Sequence, residues 1–335
     1  MKSLHFVTIG ALLGASMAAA QSKKVLVTGL RAEALEELKA AAPDLRLVVA
    51  ESEAQLASEV TDADGILGAI TPKLLAAGKK LRWVQIYSAG VERYLTPELR
   101  SSPVVVTNCK IIQGPNIADH ALAMLLALTR NLHRTWAAQA REEWTRGQYR
   151  MLELQGKTAV IIGLGGIGMQ IAQRASGFGM RVLAVDPKDI PYTPLVAKVV
   201  PPDRLDTVLP EADVVFVAAP LTPQSQGMVG PRQFELMKKG SYFIAVSRGK
   251  LYDTGALVKA LDNRHLAGAG LDVTDPEPLP KGHPLWKFPN VLITPHVAGQ
   301  SDRVQERRMA LLKENLRRFA AGEPLLNVVD KQKGY

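Results

Sequence analysis

Apolar residues recur along this chain in two alternating rhythms. Unbroken runs at Lys24–Thr28, Leu45–Val49, Gly65–Ile70, Leu81–Ile86 and Val104–Val106 are interleaved with helical spacing over Ala32–Ala42 and Glu53–Val60. Strands buried on both faces need continuous apolar runs, so the alternation predicts a parallel, doubly wound sheet covered by helices. From Asn116 to His133 the pattern is helical and apolar almost all round, through Ile117, Ala121, Leu122, Met124, Leu125, Leu126 and Leu128. It predicts one helix buried between lobes or subunits. Strand-like runs resume at Thr158–Ile162, Arg181–Val185, Asp213–Ala218, Tyr242–Val246, Ala267–Leu271 and Val291–Ile293. A helix over Val304–Ala320 then leaves this second lobe, and Glu323–Asn327 returns to the first. The expected architecture is α/β, with two doubly wound parallel-sheet lobes and a cleft between them.

The run Thr158–Ile162 stops at Gly163-Leu164-Gly165-Gly166-Ile167-Gly168 and resumes with helical spacing. Strand, tight turn and helix in that order form a nucleotide-binding unit. Gly163 supplies the turn, Gly165 lets a pyrophosphate approach the main chain, and Gly168 permits close helix–strand packing. The helix N-terminus adds unpaired N–H groups and a positive dipole end. The next strand ends at Asp186, where a carboxylate would accept hydrogen bonds from the adenosine ribose and repel a 2′-phosphate. That favours NAD over NADP, with Lys188 leaving room for both.

Length and composition add little beyond room for two domains: 335 residues, 47% apolar. Residues 1–22 have the layout of a secretory signal peptide, with Lys2, an apolar stretch from Phe6, and Ala18-Ala19-Ala20 before Gln21. Export sits awkwardly with a cytoplasmic cofactor, and without cleavage the chain would be cytoplasmic. The lone Cys109 decides nothing, since it has no internal partner. A net charge of +9 suits anionic ligands. No basic strip interleaved with aromatics appears, which argues against nucleic acid, and no later run is long enough to span a membrane.

Three strand-end loops of the second lobe carry the chemistry. Ser247-Arg248-Gly249 offers a guanidinium fork for a carboxylate and carbonyl. Asp275-Pro276-Glu277-Pro278 offers a carboxylate between prolines, and Thr294-Pro295-His296 an imidazole. Ligands bind parallel sheets beyond the carboxyl ends of the strands, so Ser88-Ala89-Gly90, after the Trp83 run, is a candidate anion loop. Reducing a ketone builds charge on oxygen and needs a proton donor and a cation. His296 is the expected acid–base, Glu277 the stabiliser of its imidazolium, and Arg248 the substrate anchor. The remaining histidines, His120 and His133 in the apolar helix among them, lack such a setting. No Cys/His/Asp cluster has metal spacing, so no metal is expected.

These motifs, with Val246-Ser247-Arg248-Gly249 and Asp253, Gly270–Val273 leading to Glu277-Pro278-Leu279, and Pro289-Asn290-Val291 before Thr294-Pro295-His296, resemble those of the D-isomer-specific 2-hydroxyacid dehydrogenases. The resemblance runs from Lys24 to about Asp330. It implies a flavodoxin-like substrate domain of residues 23–122 plus 302–335 and a Rossmann NAD-binding domain of 123–301. It also implies catalytic Arg248, Glu277 and His296, and a substrate carboxylate at Ser88, Ala89 and Gly90. Cofactor contacts would come from Gly163, Gly165, Gly166, Ile167, Gly168, Asp186, Ala219, Pro220, Ser247 and Asp272, the last near the nicotinamide amide. A homodimer through the nucleotide-binding lobes follows too. The stretch Asp272–Pro280 with His283-Pro284-Leu285 looks most like the glyoxylate and hydroxypyruvate reductases. Glu277 replaces the Gln usual in formate dehydrogenases, and the chain stops soon after His296 compared with long phosphoglycerate dehydrogenases. Ala245, Asp119 and Glu92 stand where the family usually has Asn, Glu and Asp. An alternative of another class is an NAD-binding redox sensor without turnover, like the related transcriptional corepressors.

Overall fold

The computed structural model describes residues 22–335; the expected leader, residues 1–22, lies outside the described residues except for its last position. Five strands form the first sheet: β1 (Lys24–Val27), β2 (Arg46–Val49), β3 (Gly65–Leu67), β4 (Trp83–Gln85) and β5 (Val105–Thr107), in the order β2-β1-β3-β4-β5. Seven form the second: β6 (Thr158–Ile162), β7 (Arg181–Val185), β8 (Lys198–Val200), β9 (Val214–Val217), β10 (Ser241–Ala245), β11 (Leu266–Leu271) and β12 (Val291–Ile293). Their order is β12-β11-β10-β9-β6-β7-β8. Every pairing is parallel.

The continuous apolar runs have the expected cause. Along β6, Val160 and Ile162 pack into one core while Ala159 and Ile161 pack into another on the opposite face. With both faces covered, no position is left for a polar residue to alternate with an apolar one. Three local expectations need correction. The run Gly65–Ile70 gives a strand only to Leu67, because Gly68 turns the chain at φ +139°. β8 was not anticipated, since three residues with an exposed Lys198 at the sheet edge make too short a run. The single helix expected over Asn116–His133 is two, Gly114–Thr129 and Leu132–Gln139, broken where Asn131 takes φ +52°. Asn is one of the few side chains that visits this region readily.

The helix Gly114–Thr129 packs along the helix Gly166–Gly177 and against β10, β11 and β12, so it belongs by packing to the second lobe. The helix Val304–Ala321 crosses back and packs on the helix Ala32–Ala41. It buries Met309, Leu312, Leu316 and Phe319 in the core that contains Trp83. The tail then returns to the first sheet as expected, with Val328 bridging antiparallel to Thr107. The two crossings are stitched together. Gln113 Nε2 donates to Gly299 O (3.1 Å), Asn116 Nδ2 to Ala298 O (2.7 Å), and Arg307 Nη2 to Asn116 Oδ1 (3.0 Å). Among the described residues no helix is long and apolar enough to cross a membrane.

Candidate active site

Strand order in the second sheet reverses between β6 and β9, and a reversal point is where parallel sheets open a crevice. The loops after these strands touch there: a Cβ on Gly163, whose φ is +91°, would lie 2.5 Å from Ala219 Cα. One on Gly168 would lie 1.9 Å from Gly163 O, so strand and helix meet main chain to main chain. Gly165 differs. Nothing stands within 4 Å of its Cβ position, and the outer side of the turn is open. The turn thus fits a pyrophosphate, with the first N–H groups of the helix Gly166–Gly177 beside it. Ile167 is half-buried in the first turn of that helix. Ala219 and Ser247 are buried, and Pro220 O accepts from Ser225 Oγ at 2.7 Å.

Asp186 closes β7. Its Oδ2 accepts from Leu164 N at 2.8 Å and its Oδ1 from Lys188 N at 2.9 Å. It stands on the wall of a half-open cavity of about 530 Å³ lined by residues between Asp186 and Pro201. Lys188 Nζ lies 4.7 Å from the centre of the Tyr335 ring.

Arg248, Asp272, Glu277 and His296 follow three neighbouring strands, β10, β11 and β12. The β10 loop packs tightly on the β11 loop, since a Cβ on Gly249 would fall 2.0 Å from Thr274 O. His296 Nδ1 and Glu277 Oε1 are 2.7 Å apart, with each side chain 43% exposed. An ionised carboxylate only accepts, so Nδ1 carries the hydrogen. His296 itself sits at φ +53°, a conformation that costs about 1–3 kcal/mol and persists only where its surroundings enforce it. Asp272 enforces it. Its main-chain oxygen accepts from His296 N (2.9 Å), and its buried carboxylate accepts from Val297 N (2.9 Å), Ala298 N (3.0 Å) and Thr294 Oγ1 (2.6 Å). Tyr252 below donates to Val273 O, and burial, aided by Asp275 and Glu277, pushes its phenol up.

Across the crevice, the carbonyls of Ser88, Ala89 and Gly90 accept from Cys109 N, Asn108 Nδ2 and Ser88 Oγ. The N–H groups of Ala89 and Gly90 have no hydrogen-bond partner among the described residues. Arg248 reaches this loop from the other lobe: a Cβ on Gly90 would lie 1.9 Å from its Nη2.

Two residues passed over in the sequence stand in the same place. His120, set aside as a residue of an apolar helix, has Nε2 2.9 Å from Thr294 Oγ1. Since Thr294 gives its proton to Asp272, the hydroxyl accepts from His120 Nε2–H. Ile111 is 61% exposed at φ +79°, its Cα 2.9 Å from where a Gly166 Cβ would be. A β-branched residue with that φ is a genuine outlier. Asp119 pairs with Arg174 at 2.6 Å, and Ala245 is fully buried at the end of β10. Among the described residues no three His, Cys, Asp or Glu side chains cluster as a metal would need.

Residues 122–298 match the model of the D-isomer specific 2-hydroxyacid dehydrogenase NAD binding domain. The chain belongs to this family. Over 283 residues it is 34% identical to a glyoxylate reductase from Korarchaeum cryptofilum, covering 82% of this chain and 84% of that one. With a D-3-phosphoglycerate dehydrogenase from Methanocaldococcus jannaschii it shares 30% over 92% of its own length but 59% of the relative's. The crystal structure of a D-isomer specific 2-hydroxyacid dehydrogenase from Xanthobacter autotrophicus, in complex with NADPH and MES, superimposes with a TM-score of 0.81. It is 28% identical and covers 94% of this chain and all of its own. As a family member the chain is an NAD(P)-dependent oxidoreductase of small 2-hydroxy and 2-oxo acids.

Proposed function

We propose that this 2-hydroxyacid dehydrogenase reduces small 2-oxo acids, glyoxylate and hydroxypyruvate foremost, giving the D product where the new carbon is chiral. The observation that carries the proposal is the 2.7 Å His296–Glu277 pair placed one strand from an arginine that reaches the anion loop. The substrate carboxylate lies between Arg248 Nη2 and the N–H groups of Ala89 and Gly90. Glu277 holds Nδ1–H of His296, which leaves Nε2 to give its proton to the carbonyl oxygen in reduction and to take it back in oxidation. The Arg248 cation stabilises the negative charge building on that oxygen. Asp272, with His120 behind Thr294, keeps the imidazole loop in its strained conformation. Gly163–Gly168, Asp186, Ala219, Pro220, Ser247 and Asp272 would hold the dinucleotide along its length, the glycines at the pyrophosphate, Asp186 at the adenosine ribose and Asp272 near the nicotinamide, whose ring would supply the hydride. A panel of glyoxylate, hydroxypyruvate, pyruvate and phenylpyruvate with NADH tests this: absence of turnover with all four sinks it.

The Asp186 carboxylate favours NAD over NADP, and a kcat/KM for NADPH equal to that for NADH would reverse this. The functional division is a substrate domain of residues 23–122 plus 302–335 and a cofactor domain of 123–301, although the helix Gly114–Thr129, inside which the first boundary falls, packs on the cofactor lobe. We further propose a homodimer through the cofactor lobes. Trp136, Trp144 and Met151, on the helix Leu132–Gln139 and the loop after it, are 60%, 92% and 45% exposed, and such apolar exposure marks an interaction surface. Light scattering that reports a monomer would end that part. Residues 1–22 act as a cleaved export signal, which N-terminal sequencing of the mature protein decides.

A further inference from the structure

Glu92 is the side chain by which the first lobe holds Arg248. Its Oε1 accepts from Arg248 Nε at 2.7 Å, while Arg248 Nη1 donates to Ser247 O at 2.7 Å. A guanidinium presents its five N–H groups in one rigid plane. These two contacts therefore fix the plane and leave Nη2 without a hydrogen-bond partner among the described residues. The cation and the carboxylate then converge on one spot. A Cβ on Gly90 would lie 1.9 Å from Arg248 Nη2 and 2.5 Å from Glu92 Oε2. Both charges border the place where a substrate carboxylate would meet the Ser88–Gly90 loop. Their side chains are 33% and 31% exposed, so solvent screens them only in part.

We propose that Glu92 determines the charge of the acid this site accepts: it aims Arg248 at a single carboxylate and, through its own negative charge, turns away 2-oxo acids that carry a second one. The inference rests on the reading of the crevice as a 2-oxo acid site. An unpaired arginine would attract any anion, and a dianion more than a monoanion. The Arg248–Glu92 pair is neutral as a whole. Affinity for a monoanion then comes from the geometry of the free guanidinium edge and the loop N–H groups. A second carboxylate finds no spare cation in the pair and is repelled by Glu92. Discrimination of this kind depends on the repulsive element as much as the attractive one. The contact crosses between lobes, so the same pair couples the substrate loop to the strand-end loop that carries Arg248.

The test compares kcat/KM for glyoxylate and hydroxypyruvate with kcat/KM for oxaloacetate and 2-oxoglutarate, using NADH and the full chain. Glu92→Gln keeps the size and a hydrogen-bond acceptor but loses the charge. It should raise the dicarboxylate-to-monocarboxylate ratio about tenfold or more, which is about 1.4 kcal/mol of discrimination, mainly through a lower KM for the dicarboxylates. Glu92→Asp keeps the charge and should leave the ratio within about threefold of wild type, a difference below 0.7 kcal/mol or so. Glu92→Ala, which removes the charge without adding an amide, should move the ratio in the same direction as Glu92→Gln. An ion pair that merely braces the lobes would lower turnover of all four acids alike. An unmoved ratio in Glu92→Gln and Glu92→Ala therefore overturns the inference, as does an equal rise in Glu92→Asp. If wild type turns over none of the acids, the reading of the site falls together with this inference. Turnover with an unmoved ratio removes the inference alone.

Discussion

The two sheets of this protein repeat one plan and put it to different ends. Each reverses its strand order beside its first strand, the first sheet between β1 and β3 and the second between β6 and β9. At the first reversal a side chain fills the gap: the Cβ position of Gly68 lies 1.9 Å from Thr28 Oγ1. At the second, glycine stands in place of that side chain and the loops meet main chain to main chain, the Cβ position of Gly163 lying 2.5 Å from Ala219 Cα, while Gly29 in the first turn and Gly165 in the second both face open space. Topology thus marks two equivalent reversals, and the residue after the first strand, Thr28 in one sheet and Gly163 in the other, decides how closely the two loops meet. The first lobe contributes to the active site elsewhere, through the loop after β4.

The comparison can be broken at several points. The largest effect is expected at the strand-end loops of the second sheet. His296→Ala should lower kcat by about 10²–10⁴-fold, the usual worth of a positioned acid–base, with NADH affinity unchanged in a fluorescence titration. Near-normal turnover would mean that the second sheet's loops hold their acid elsewhere. Next, Gly168→Ala drives a methyl into Gly163 O and should cost about 1–3 kcal/mol in urea unfolding. Gly165→Ala should change stability by no more than about 0.5 kcal/mol. Its methyl stands where the phosphates approach, so NADH affinity should fall about tenfold, or about 1.4 kcal/mol. In the first sheet's turn the pattern inverts. Gly29→Ala, at φ +66° with nothing within 4 Å, should destabilise by about 1 kcal/mol through backbone strain alone and leave NADH affinity untouched. The smallest effect concerns Cys109, just beyond β5, whose thiol burial pushes up to about 11 from an ordinary 9.0. Its raised folded value means that the stabilisation is complete below about pH 9 and is lost as pH climbs toward about 11. Below pH 9 the native thiol should not react with a disulfide reagent until urea is added, and the urea midpoint should fall between these limits less in Cys109→Ala.

What the sequence disclosed and what it hid follow from the same physics. Backbone needs are written locally: Gly163, Gly165 and Gly168 fall within six residues of one another because one turn imposes all three. Buried parallel strands show as apolar runs for a similar reason, and Arg248, Glu277 and His296 follow such runs. Glu92, His120 and Ile111 were not assigned roles because each acts through a contact made across the fold. Glu92 meets Arg248 from another lobe, and His120 meets Thr294 from the face of an otherwise apolar helix. The break at Asn131 was invisible because a single residue at φ +52° makes it, two positions before the end of the expected helix, and the polar segment beyond, Leu132–Gln139, carries no apolar stripe to mark a new start.

The stitching of the two crossings where they meet Ala298 and Gly299 has a mechanical consequence. Two connections bound to each other have the build of a book's spine, and a relative movement of the lobes would turn about that seam. The imidazole, two residues before Ala298, would then travel little, whereas Gly90 and its neighbours, carried on the opposite cover, would sweep a longer arc. Opening of that kind would separate the carboxylate grip from the proton donor, and shutting would restore both in one movement.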